Sequence, residues 1–325
     1  MVTALTYRPA QLEDAELAAD LMTASYPPMP QDPVITRRRW ETPRHGFAYG
    51  RFFAERNGTP IAFLTWVHGP WDTVQDGHCE VEVWLDRAVL DRDLLVEMFT
   101  WIGDRAEAEG SRLLLAYCGE DEPEMLEALA ALDFRPERTE KVWELDLKTQ
   151  GSRLVREAAE ARDRMKAAGI ESTTLAAWSD PDGVRKLHEL NERTVEDIPH
   201  TLTIVRETFE DFAKRIRSPD KPHDRYWIAL DGDRPVAMSN LKYPPVRGDV
   251  WTGYTCTDPA YRGRGLARGI KLQTLAQAVE LGVPFVCTDN DSENAPMLHI
   301  NEKLGYARRP GFVEHHKRVT KKNDA

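Results

Sequence analysis

The chain has 325 residues, with 43 lysines and arginines against 54 aspartates and glutamates, so its formal net charge is −11. Hydrophobic residues make up 41% of it and charged residues 30%, which is typical of a folded chain rather than a disordered one. The net acidity argues against general nucleic-acid binding, which requires a basic surface. The length favours two domains.

No run approaches the roughly 18 apolar residues that a membrane span requires, and the first residues lack the pattern of a secretory signal. The four cysteines lie far apart in apolar, strand-like runs, which favours buried free thiols over metal ligands: Cys79, Cys118, Cys256 and Cys287. We therefore expect a cytoplasmic protein, monomeric or homodimeric, that binds neither a metal nor a membrane.

The predicted elements of the first half begin with a strand at Leu5–Arg8 and a helical region. Three strands follow, at Arg51–Glu55, Pro60–Val67 and His78–Leu85. Next come an amphipathic helix, whose apolar face is Leu94, Leu95, Met98 and Ile102, then a short strand at Arg112–Tyr117, a second helix and closing strands. The segment Ser152–Ala168 has an apolar stripe at Leu154, Ala158, Ala161 and Met165, which predicts a linking helix docked on one domain.

The second half repeats this order, with strands at Ile170–Leu175, Tyr226–Leu230, Pro235–Leu241, Val250–Thr257 and Pro284–Thr288. A constant offset of 172 positions places Asp258 on Asp86, Met297 on Met125 and Tyr306 on Phe134. Such self-similarity at a fixed offset indicates two copies of one structural unit.

The segment from Thr255 to Ala267 carries the clearest chemical pattern. A strand runs into a turn, Arg262-Gly263-Arg264-Gly265, which opens an amphipathic helix. Glycines allow close backbone approach, and the N–H groups of a helix N-terminus attract anions. The two arginines add cations suited to phosphate oxygens, so the turn predicts an anion site.

This turn, followed by the Asn294–Tyr306 segment with its Leu-Gly-Tyr ending, resembles the GNAT superfamily of acyl-CoA-dependent N-acyltransferases. The resemblance covers roughly residues 170–320 and more weakly 5–147, as in bacterial tandem-GNAT proteins. It implies a mixed α/β fold of two tandem GNAT units, each a splayed mixed β-sheet flanked by helices. The expected organisation is a degenerate domain at 1–150, a linking helix at 151–168 and the acetyl-CoA domain at 169–325.

The resemblance also implies which residues bind acetyl-CoA. Main-chain groups of the splayed strand would bind pantetheine, the glycine turn and helix start would wrap the pyrophosphate, and three asparagines would line the cofactor. These residues are Thr255, Cys256, Thr257, Arg262, Gly263, Arg264, Gly265, Leu266, Ala267, Asn290, Asn294 and Asn301. Many family members have a tyrosine acid at the position of Asn301, which cannot supply a proton.

In the first copy, Asp91 and Asp93 replace the two glycines of the turn. A carboxylate about 5 Å from a phosphate charge costs about 3 kcal/mol at an effective dielectric constant near 20. We therefore expect that the first copy binds no acyl-CoA and instead walls the substrate cleft of the second.

The expected activity is transfer of an acetyl group from acetyl-CoA to the amine of a small molecule by direct attack. Tyr254 is a candidate acid and Asp197 a candidate base. Two alternatives stay open: a non-catalytic acyl-CoA sensor or scaffold, and an acetyltransferase acting on protein or peptide amines.

Overall fold

A computed structural model describes residues 4–319 of the chain. The first copy contains these elements: β1 (Thr6–Pro9), α1 (Ala15–Ser25), α2 (Pro33–Glu41), β2 (Ala48–Arg56), β3 (Thr59–His68), β4 (His78–Leu85), α3 (Arg92–Ala108), β5 (Leu113–Gly119), α4 (Pro123–Ala131) and β6 (Arg135–Asp146). After α5 (Leu147–Ala167), the second copy repeats the order: β7 (Ile170–Thr174), α6 (Gly183–Thr194), α7 (Phe209–Ile216), β8 (Tyr226–Asp231), β9 (Arg234–Lys242), β10 (Trp251–Thr257), α8 (Leu266–Glu280), β11 (Phe285–Asp291), α9 (Ala295–Leu304) and β12 (Ala307–Arg318).

All twelve strands of the described residues form one continuous mixed sheet, in the order β1-β2-β3-β4-β5-β12-β6-β11-β10-β9-β8-β7. The matching element order of the two halves confirms the predicted internal repeat. The predicted α/β class with two tandem splayed sheets is also confirmed.

The two copies exchange their last strands at the centre of this sheet. β12, from the second copy, pairs antiparallel with β5 of the first, where Phe312 lies opposite Gly119. β6, from the first copy, pairs antiparallel with β11 of the second, where Asp291 lies opposite Glu140. β6 and β12 also pair with each other. Each copy therefore depends on a strand that the other supplies.

Helix α5 packs on α8 through the stripe seen in the sequence. Leu154, Ala158, Ala161 and Met165 are each at most 5% exposed. Leu154 and Ala161 belong to a buried cluster with Leu272 and Leu275 of α8. The helix is thus docked on the second copy, because its apolar face is covered by that copy's core.

In both copies the two central parallel strands diverge after a short paired stretch. β10 and β11 pair at Trp251 and Cys287 and then separate. β4 and β5 stay paired from His78 to Glu80 before they separate. A register irregularity in β10, between Thr252 and Tyr254, lies at the start of the divergence. The openings expose one edge of β10 and one of β4.

Candidate functional site

The turn before α8 presents open backbone N–H groups. Gly263 and Gly265 have φ of +73° and +76°, which only glycine adopts readily, and neither position has another atom within 4 Å of where a Cβ would lie. Gly265 is the N-cap of α8, and no side chain caps the helix there. The first amides of a helix have no partner within the helix. This turn is therefore a backbone site suited to an anion.

Two arginines flank these amides. Arg262 is about half exposed and forms an ion pair with Asp197. The guanidinium of Arg264 lies 5.3 Å from the ring centre of Tyr261. Arg262 is free to turn toward an anion at the glycine turn, because its pair with Asp197 is solvent-exposed and therefore weak.

The corresponding turn of the first copy is closed. Asp91 is the N-cap of α3, and its Oδ1 accepts hydrogen bonds of 3.0 Å from the amides of Asp93 and Leu94. The helix begins at Arg92, earlier than its counterpart in the second copy. The protein's own carboxylate therefore takes the amides that an anion would use.

The opening between β10 and β11 forms a cleft with a cavity of about 230 Å³. Of the residues that the sequence pointed to, Tyr254, Thr255, Asn290 and Asn294 line it. The amide of Asp258 donates to Val236 in the neighbouring strand, so by alternation the amides of Thr255 and Thr257 point into the opening. The cleft thus has backbone donors along one wall.

Side chains on this stretch of β10 are engaged elsewhere. Cys256 is 8% exposed and packs in the core with Leu187 and Met238. The hydroxyl of Thr255 is 2.8 Å from that of Ser239.

Asn301 does not line the cleft. It is 0% exposed, its Nδ2 donates to Oδ1 of Asn290 at 2.5 Å, and its Oδ1 accepts from Nζ of Lys271 at 2.8 Å. Burial lowers the pKa of Lys271 to about 7. Asn301 therefore orients Asn290, which does line the cleft. Asn294 caps α9 by accepting a hydrogen bond from the amide of Met297.

The two candidates for proton transfer occupy different places. Tyr254 lines the cleft, and its hydroxyl is 3.1 Å from that of Thr194. Burial raises the pKa of Tyr254 well above its usual range, so its hydroxyl stays protonated at neutral pH. Asp197 is not among the residues lining the cavity, and its carboxylate is held by Arg262.

Strand exchange brings further charged residues into the cleft. Glu140 and Arg138 come from β6 of the first copy, and Glu314 comes from β12. Arg138 donates to Asp291 and, at 2.7 Å, to the carbonyl of Pro199, which also lines the cleft. Sequence reasoning missed these residues, because nothing in a strand's own sequence shows that it pairs with the other copy.

Glu140 has an unusual environment. Burial, followed by the charges of Asp289 and Glu314, raises its pKa to about 7. No described residue donates a hydrogen bond to its carboxylate or forms an ion pair with it, although Arg138 is close enough to lower the pKa slightly. A carboxylate in this state can take up a proton near neutral pH.

Comparisons with known proteins agree with this geometry. The Acetyltransferase (GNAT) family model matches residues 184–306. A tandem GNAT protein from the clavulanic acid biosynthesis pathway superposes with a TM-score of 0.74 at 16% identity, over 97% of this chain and 98% of that one. A GCN5-related N-acetyltransferase from Sphaerobacter thermophilus does so with 0.68 at 19% identity, over 97% and 95%.

A third structure is a glucosamine N-acetyltransferase region of a fungal multi-domain GH3 beta-N-acetylglucosaminidase, with a TM-score of 0.67 at 11% identity, over 97% of this chain and 38% of that one.

No curated protein matches the sequence significantly. No helix among residues 4–319 is long and apolar enough to cross a membrane. The second copy therefore contains the segment that matches the acetyltransferase (GNAT) family model, and the chain as a whole has the fold of tandem GNAT structures.

Proposed function

We propose that the protein is an acetyl-CoA-dependent N-acetyltransferase that acts on the amine of a small molecule. The observation that carries the proposal is the uncapped glycine turn at the start of α8, directly after the exposed edge of β10. One site there binds an anion, and the adjoining cleft presents backbone donors. A pyrophosphate joined to a pantetheine arm needs this combination.

The residues present fit acetyl-CoA as a co-substrate. Arg262, Arg264 and the amides at Leu266 and Ala267 would hold the pyrophosphate. The amides of Thr255 and Thr257 would bind the pantetheine arm along β10. Asn290 and Asn294 would line the other wall, with Asn301 holding Asn290 in place. When bound, the thioester supplies an electrophilic acyl carbon for the attacking amine.

The chain's own groups then assist the transfer. An amide on the open edge of β10 donates a hydrogen bond to the carbonyl oxygen as negative charge develops there. The hydroxyl of Tyr254, which stays protonated at neutral pH, donates to the departing sulfur. A carboxylate lining the cleft accepts the proton of the attacking ammonium group.

The first copy supports a single acyl-CoA site. Because Asp91 already accepts from the amides of Asp93 and Leu94 at the start of α3, a phosphate there would meet its charge and would have to displace it from these two donors. We assign to the first copy the role of a wall around the acceptor rather than a second cofactor site.

The test is calorimetric titration of acetyl-CoA into the wild type, Gly265→Asp and a matched control, Gly232→Asp. Gly232 is also at positive φ with no atom within 4 Å, but it lies in the turn between β8 and β9. A carboxylate about 5 Å from the pyrophosphate makes the free energy of acetyl-CoA binding about 3 kcal/mol less favourable, so Gly265→Asp weakens binding at least 100-fold. The wild type and the control bind one equivalent.

An amine screen that follows release of free thiol then distinguishes the alternatives. Turnover with small amines supports the proposal, and turnover only with peptides shifts it to a protein acetyltransferase. Binding of acetyl-CoA without transfer to any amine leaves the sensor or scaffold. Two equivalents bound, or unchanged binding by Gly265→Asp, would contradict the assignment of the site.

A further inference from the structure

A second and larger cavity, of about 460 Å³, lies between the two copies. Its walls include α2, β4, β5 and β6 of the first copy and β9, β10 and β11 of the second. Its size falls within the range of small-molecule sites. The splay of the first copy thus opens onto the junction of the copies, although the first copy's own anion turn is closed.

This cavity joins the cleft of the second copy. Glu140 and Asp289 line both. The two side chains project from the same face of the sheet, because Glu140 lies opposite Asp291 in β11 and Asp289 is two residues earlier on that strand. A molecule in the larger cavity therefore reaches the cleft past these two carboxylates.

The cavity is strongly acidic. Eight carboxylate side chains line it, against the two cations Arg39 and Lys242. Some of these carboxylates have hydrogen-bond donors within the protein. That of Asp32 accepts from four backbone amides. The side-chain carboxylates of Glu80, Glu140 and Asp289 have no hydrogen bond or ion pair with any residue in the range 4–319 that the structure describes.

An independent feature of the cavity is a buried carboxylate oxygen that has no partner among the described residues. Asp220 lines it, is only 5% exposed, and its Oδ1 has no hydrogen-bond partner among the described residues. Lys242 lines the same cavity but forms no ion pair with it in the described part of the chain. A buried carboxylate left without a partner is costly, and a bound ligand that donates to it removes that cost.

We propose that this cavity is the acceptor site, and that its ligand is a small molecule with at least two amino groups. The reacting nitrogen lies at Glu140 and Asp289, at the entrance to the acyl cleft. A second ammonium group lies deeper, at Glu80 on β4 of the first copy. The inference rests on the proposed function for its chemistry, but the binding of the amine stands on the cavity alone.

The carboxyl groups of Glu80 and Glu140 have raised pKa values, as the assignment of a cationic ligand requires. Burial, followed by the charges of Glu82, Glu314 and Glu140, raises the pKa of Glu80 to about 8. A dication restores the ionised form, so binding releases protons and strengthens as pH rises from about 6 to 8. In the transfer step, the C–N bond forms as the C–S bond breaks. The ammonium proton passes to ionised Glu140. The sulfur takes a proton from the hydroxyl of Tyr254, which the second proton lost by the nitrogen replaces, so coenzyme A leaves as the thiol.

The test compares 1,4-diaminobutane with butylamine, which has the same chain length and one amino group. Calorimetry without acetyl-CoA measures binding to the wild type, to Glu80→Gln and to Glu97→Gln, a control on the exposed face of α3. We expect the wild type and the control to bind the diamine at least tenfold more tightly than butylamine. Glu80→Gln loses this preference, while the affinities for butylamine and for acetyl-CoA, which also report correct folding, stay unchanged.

The outcomes separate the two proposals. Diamine binding that depends on Glu80, without acetyl transfer, supports the site and contradicts the proposed activity. Acetyl transfer with equal preference for the two amines, or a diamine preference that survives Glu80→Gln, overturns the inference and leaves the activity standing. Failure of the wild type to bind the diamine also overturns it.

Discussion

Replacing Lys271 by methionine perturbs a buried amine in the core of the second copy. Lys271 lies in α8, is 0% exposed, and its Nζ donates to Oδ1 of Asn301 at 2.8 Å. Its Nζ also lies 5.0 Å from the ring centre of Tyr306. Burial lowers its pKa from 10.5 to about 7, while the charge of Asp289 acts weakly in the opposite direction.

The magnitude follows from proton linkage. Because the folded pKa lies below the unfolded one, the unfolded state binds more protons between pH 7 and 10.5, and stability rises with pH over that window. For a pKa near 7, the cost of burying the amine is about 4 kcal/mol at pH 7 and about 2 kcal/mol at pH 9. The wild type should therefore gain about 2 kcal/mol relative to Lys271→Met between these two values.

Urea unfolding of the wild type and Lys271→Met at half-unit steps from pH 6 to 10 measures this difference. Methionine also removes the hydrogen bond to Asn301. To first order, that loss lowers the free energy of unfolding by the same amount at every pH and leaves its pH dependence unchanged. Lys303→Met, at an exposed position on α9, serves as the control and should run parallel to the wild type. Parallel curves for Lys271→Met would refute the reasoning, since they would mean that the amine stays charged in the folded protein.

Two other substitutions test contacts between elements. Asp197→Asn releases Arg262 for the pyrophosphate, so we expect acetyl-CoA to bind up to about fivefold more tightly with kcat preserved, since an exposed ion pair is weak; a 100-fold loss of kcat at unchanged affinity would instead identify Asp197 as the base. Asp32→Ala removes a 5% exposed carboxylate that accepts from two amides of α2 and two of the loop after β9, and we expect a loss of about 3–5 kcal/mol in urea unfolding. Asp20→Ala, at an exposed ion pair with Arg247, is the control and should change stability little.

Local patterns in the sequence were sufficient for the repeat, the strands and the glycine turn. The offset of 172 places Phe134 on Tyr306, and both are buried, at 2% and 6% exposure. The stripe on α5 predicted its docking, because burial of one helix face leaves a 3.6-residue period in the sequence. The turn at Gly263 and Gly265 was recognisable for a similar reason, since positive φ restricts the residue type there.

Pairing between distant strands leaves no such mark. The hydrophobic pattern of a strand's sequence does not depend on which strand it pairs with, so the exchange of β6 and β12 was not predictable from either segment. The sequence also pointed to Asn301 as a hydrogen-bond partner of the pantetheine or sulfur, whereas in the structure its amide is buried and bonded at both ends. Asp289 follows the predicted strand Pro284–Thr288, but the structure places it within β11, in the wall shared by the cleft and the cavity.

The strand exchange explains why a copy without an anion turn persists beside one that has it. β6 carries Glu140 out of the first copy and into the cleft of the second, so the proton acceptor that we propose for that cleft comes from the neighbouring copy. The first copy keeps its splay, and with it Glu80, whose position on β4 faces the shared cavity. Loss of the anion turn therefore removes only the phosphate site. The opened sheet remains as half of the cavity between the copies. In the reaction that we propose, the second copy would hold the acyl group and the first copy would line the acceptor site.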